Sequence, residues 1–130
     1  MALVTRSAEA SVDASTGMMA PQITGLLAGA ALDVAAPCYI HTDGTVLMAN
    51  GTGANAAARV VGFTPRAVAA GQPVTLFGLG ARFRYGTGLT PGALLFLGAT
   101  AGRLDDGATT GDAVGIATVI TSTDIRVRSF

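Results

Sequence analysis

The sequence predicts an all-β fold, a small β-sandwich or barrel, and three observations carry that expectation. From Leu26 onward, turn residues alternate with short apolar runs at intervals of roughly eight to twelve positions. The composition is rich in Ala, Val and Thr, with 18 Gly and only 5% aromatic residues, which suits tight turns and β-branched strands. Charged helix formers are scarce. Glu9 is the sole Glu and Lys is absent, so the residues that coat a solvated helix face are nearly missing.

Residues 1–25 are mostly Ala, Ser, Thr and Met without a sustained period, and read as an extended N-terminal arm rather than a packed element. Residues 26–130 read as a single β domain, because a chain of 130 residues is expected to bury one core. Strands are expected at Cys38 to His41, Val46 to Ala49, Arg59 to Thr64, Val74 to Phe77, Ala81 to Tyr85, Leu94 to Leu97, Ala113 to Thr118 and Asp124 to Arg128. Helix is limited to one or two short turns. The best placed is Pro65 to Ala70, with Pro at its opening and Gly71 at its close.

The chain also repeats itself. LDVAAPCYIHTDGTV, from Leu32, has the shape of LTPGALLFLGATAGRL, from Leu89. Tyr39-Ile40 aligns with Phe96-Leu97, Val46 with Leu104, Val61-Gly62-Phe63 with Val114-Gly115-Ile116, and Val74-Thr75-Leu76 with Ile125-Arg126-Val127. This gives repeat units 32–77 and 89–128. The glycine inside each V-G-apolar strand predicts a bulge or a close backbone approach.

No catalytic, cofactor or metal site is expected. The sole Cys and sole His lie in CYIH, but on a strand Cys38 and His41 face opposite sides and cannot share a ligand or a proton. The pairs Gly51/Gly53, Gly78/Gly80 and Gly86/Gly88 each lack the third glycine of a dinucleotide loop, and a Walker loop needs lysine. Asp105, Asp106 and Asp112 match no calcium loop and sit in a polar D-G turn with no apolar pocket to raise one pKa.

The remaining signal is basic and alternating. Arg82-Phe83-Arg84-Tyr85 and Arg126-Val127-Arg128 each send two arginines to one face of a strand and apolar residues to the other. Arginine interleaved with aromatics can clamp single-stranded nucleic acid, but zero net charge gives no field to gather a polyanion. Arg82, Arg84, Arg126 and Arg128 are therefore candidate contacts to a neighbouring subunit or partner, through carboxylates. No direct nucleic-acid partner and no membrane partner is expected. The charge-free stretches are broken by Pro21 and Gly25, and by Gly86, Gly88, Pro91 and Gly92. The N-terminus carries Arg6, Glu9 and Asp13 where a secretory signal needs an apolar run.

The run AARVVGFTPRAVAAGQPVTLFGLGARFRYGTGLTPGAL, with its V-G-apolar strand, its alternating V-T-L-F and its G-A-R-F-R-Y, resembles the head decoration proteins of tailed bacteriophages, and the chain shares with the lambda-type ones a comparable order of a D-G hairpin, a V-G strand and a strand ending in F-R-Y. The C-terminal half, PGALLFLGATAGRL and GDAVGIATVITSTDIRVRSF, is similar to the broader group of phage capsid cement proteins. The resemblance covers about residues 30–130. It implies a β-rich homotrimer without cofactor or enzymatic activity, assembled in the host cytoplasm onto the outer surface of the expanded virion head. Its partner would be the major capsid protein, whose adjacent capsomers it would clamp. In that family an N-terminal arm often orders only on the capsid. A second reading is a β-rich tail or fibre module that binds a host surface or glycan.

Overall fold

A computed structural model, describing residues 3–13 and 20–128, is all-β. The first antiparallel sheet is built from β2 (Gln22–Leu27), β3 (Pro37–Ile40), β4 (Val46–Met48), β5 (Gly62–Phe63) and β6 (Pro73–Phe77), in the order β2-β6-β5-β3-β4. The second uses β1 (Ser11–Val12), β7 (Arg82–Arg84), β8 (Leu94–Leu97), β9 (Leu104–Asp105), β10 (Ala117–Val119) and β11 (Asp124–Val127), in the order β1-β7-β11-β10-β8-β9.

Apart from β1, the two sheets have one wiring: β2, β3, β4, β5 and β6 take the places that β7, β8, β9, β10 and β11 take in the second. Main-chain hydrogen bonds recur with it. Thr64 N–H donates to Ala36 C=O as Val119 donates to Ala93, and Gly78 donates to Pro21 as Val127 does to Ala81. The repeated unit is thus a five-stranded sheet, Gln22 to Phe77 and again Arg82 to Val127, wider than the sequence similarity. The paired registers also shift part of the alignment. Cys38 faces Gly62 where Leu95 faces Ala117, so Gly62 and Gly115 are not counterparts. They serve different ends. A Cβ on Gly62 would lie 2.7 Å from the Leu76 Cβ, a close strand approach, whereas Gly115 takes φ +97° in a turn.

Each sheet curls. A bridge between Ala28 and Val46 draws the ends of β2 and β4 together. In the second sheet the N-terminal stretch reaches both edges, since Leu3 pairs with Asp105 beyond β9 while β1 pairs with β7. Ser7 N–H donates to Tyr85 C=O at 2.7 Å, and the Arg6 guanidinium bonds Asp33 at 2.9 Å and Gly102 C=O at 3.0 Å. The arm expected over residues 1–25 is extended, but its described part is hydrogen-bonded into both sheets, and its end is strand β2. An edge partner needs only main-chain donors and acceptors, which leave no hydrophobic period in the sequence. Residues 1, 2 and 14–19 of that arm lie outside the described residues.

The single core expected from chain length divides into two clusters. Leu32, Cys38, Val46, Val74 and Leu76 fill the smaller, within the first half. The larger joins Phe83, Tyr85, Leu97, Leu104 and Ile125 to Phe63 of the first sheet, whose ring tilts against Phe83 with centroids 5.6 Å apart.

Two local expectations are corrected. Pro65 to Ala70 is not helical, because Val68 exchanges both main-chain hydrogen bonds with Leu32, at 2.8 and 2.9 Å. Among the described residues the 3-10 turn is instead Ala56–Ala58, capped by the Asn55 side chain, which accepts from Ala57 N–H at 3.1 Å. The strand expected from Ala113 begins only at Ala117, since the Asp112 carboxylate ties Val114 and Gly115 into a turn.

Candidate functional site

Strands β7, β10 and β11 place the arginines. Phe83, Ala117, Val119, Ile125 and Val127 point inward and are buried, which forces the alternate residues Arg82, Arg84, Thr118 and Arg126 onto the outer face. Register sets them in rows: Thr118, Arg126 and Arg82 lie opposite one another across the three strands, and Asp124 lies opposite Arg84 in the next row. Arg128 follows β11. Arg82, Arg126 and Arg128 share an open groove of about 920 Å³, walled by Leu79, Gly80 and Ile120, and no acid lines it. Arg84 lies outside the lining.

The four arginines are not equally free. Arg82 Nε donates to Asp124 at 2.8 Å, Arg84 pairs with Glu9 at 3.0 Å, and Arg128 donates to the Val114 and Gly115 carbonyls at 3.1 Å. Arg126 forms no ion pair with a described residue. It lies directly opposite Arg82, and like charges in that arrangement repel across the sheet. Burial works to raise the Asp124 pKa, but hydrogen bonds from Thr123 and Arg82 outweigh it and hold the carboxyl below its usual range. Asp124 therefore remains anionic and offsets Arg82, leaving Arg126 and the carbonyl-bound Arg128 as groove cations without a carboxylate partner among the described residues. The walls were not legible in sequence as the arginines were: Leu79 sits in a glycine turn without period, although Thr118 could have been placed by extending the alternation of β10.

The first sheet carries a second, smaller groove of about 330 Å³, with Gln22, Pro65, Arg66 and Phe77 in its lining. Gln22 pairs with Phe77 as Arg82 pairs with Arg126, but Phe77 packs against the core and Arg66 gives this groove a cation of its own.

The other sequence candidates are drawn into the scaffold. Cys38 is buried and its Sγ donates to Ala36 C=O, while His41 is exposed and bonds Asp43 at 3.3 Å, so the two stand apart. Asp112 accepts from Leu97 N–H at 2.8 Å, and Asp105 from Gly107 N–H at 3.0 Å. Among the described residues no group of three His, Cys, Asp or Glu is placed to hold a metal. Gly51 and Gly86 are packing glycines, since a Cβ on either would come within 2.5 Å of a carbonyl oxygen.

Burial, reinforced by the Asp33 charge, pushes the Cys38 thiol from its ordinary 9.0 up to about 12. A thiol reagent is expected to leave the folded protein unmodified at pH 8 and to react fully in denaturant. Because the folded thiol holds its proton to higher pH than the unfolded one, its contribution to stability is intact below pH 9 and is lost as pH rises toward 12. Cys38→Ser should lessen that alkaline loss, read from denaturation midpoints across the range.

No family model matches the chain, and no curated protein is similar to it in sequence.

Proposed function

We propose that the protein is a capsid decoration or cement protein, which binds the outer surface of an expanded bacteriophage head and clamps adjacent capsomers. The observation that carries this reading is the outer face of the second sheet, where Arg82, Arg84 and Arg126 stand in register, Arg128 follows, and Leu79 and Ile120 are exposed beside the groove. A face of cations and apolar side chains over a hydrogen-bonded sheet is suited to holding another protein surface. The phage resemblance of residues 30–130 names which surface.

Clamping follows from valence. Three copies associated as a trimer meet three equivalent sites together, so modest contacts add through effective concentration. Only the assembled shell offers all the sites at once, and ligation of that state alone stabilises it. The protein is expected to cosediment with expanded heads in stoichiometric amount, to leave unexpanded heads unbound, and to raise the heat tolerance of filled heads. Equal binding to both head forms, or unchanged heat tolerance after the protein is stripped, would refute the reading; binding to tails or to host cells instead would replace it with the tail-module reading.

A further inference from the structure

We propose that the groove over β7, β11 and β10 recognises an extended acidic segment of a partner protein, with a carboxylate seated between Arg126 and Arg82. The inference deepens the contact-surface reading and rests on it, but not on the identity of the particle. Two observations lead to it. First, the lining holds Arg82, Arg126 and Arg128 and no acid, while Arg126 has no ion-pair partner among the described residues. Second, Arg126 lies opposite Arg82 across the sheet, and the one carboxylate beside them, Asp124, pairs with Arg82, so the two arginines keep a net positive charge at the groove. A carboxylate seated there can accept from both guanidinium groups and balance that charge.

Leu79 and Ile120, 47% and 37% exposed, give apolar walls, which suits a segment that alternates acidic and aliphatic side chains. A nucleic acid fits less well. The groove lining contains no aromatic ring on which a base could stack, and the chain has no net charge to gather a polyanion.

The test uses the full chain and fluorescence anisotropy with three probes: a short labelled peptide alternating Asp and Val, the same peptide with Asn in place of Asp, and an oligothymidylate of similar length. The Asp peptide is expected to bind, the Asn peptide to bind at least roughly tenfold more weakly, and the Asp signal to fall with added salt. Arg126→Phe and the double variant Arg82→Gln, Arg126→Phe place the first sheet's residues in the second and should each lose roughly tenfold or more. Arg126→Gln supplies the same comparison should either variant fail to fold by circular dichroism. Equal binding of the Asp and Asn peptides, unchanged binding by Arg126→Gln, or preference for the oligonucleotide overturns the proposal. Head cosedimentation of the same variants keeps the two readings apart. Retained head binding without peptide binding removes this inference alone, and peptide binding without head binding removes the capsid reading alone.

Discussion

Phe83→Ala is expected to lower the free energy of unfolding by about 3–5 kcal/mol, among the largest effects of any single truncation in the chain. Phe83 is fully buried at the centre of β7, flanked in register by Ile125 of β11 and Val12 of β1. Its ring also meets Phe63 of the first sheet at the junction of the two sheets, tilted by 36°, and an aromatic pair of this kind adds about 0.5–1.5 kcal/mol beyond burial. Truncation leaves a cavity that two rigid sheets cannot close. Urea denaturation should show a lower midpoint with an unchanged slope. A loss below about 1 kcal/mol would mean that the junction is not packed as described. A reduced slope or a second transition would mean that the two halves unfold separately, with Phe83 as their coupling.

Asp112→Ala is expected to cost about 3 kcal/mol, through hydrogen bonds rather than packing. The carboxylate accepts from Leu97 N–H at 2.8 Å, Val114 N–H at 3.1 Å and Gly115 N–H at 2.9 Å. It thereby joins the end of β8 to the turn that precedes β10. Alanine leaves these amides without that acceptor, and Leu97 is buried where water is a poor substitute. Asp112→Asn keeps one acceptor oxygen but turns an NH₂ donor toward the amides served by the other, so it should recover only part of the loss. Hydrogen exchange separates this effect from a general loss of stability, since the Leu97, Val114 and Gly115 amides should be deprotected first. Equal stability of wild type and Asp112→Ala would show that the turn holds without its anchor.

The strands that were legible in sequence are those whose inward residues are large and alternate. Arg82-Phe83-Arg84 and Asp124-Ile125-Arg126-Val127 declare a buried face and an exposed one, so both the strands and the common face of the arginines follow from composition at alternate positions. Strand β2 was not legible, because all but one of its residues are exposed and Gly25 breaks its pairing with β6. β1 and β9 have two residues each, too few for any period. The strand expected over Arg59 to Thr64 has a suitable apolar run, yet only Gly62 and Phe63 pair as a strand, because pairing depends on what lies alongside.

The chain by itself determined an all-β fold, a repetition, and two segments that each send two arginines to one face. These are properties of residue size and alternation, which act within a few positions along the sequence. Tertiary structure alone decided that the repetition is a shared wiring of two curled sheets, that the N-terminal stretch straps the second, and that Arg126 is left open while Asp124 and Glu9 meet Arg82 and Arg84. Those outcomes depend on register and on encounters between residues far apart in the chain, where one main-chain hydrogen bond looks like any other until the partner strand is in place.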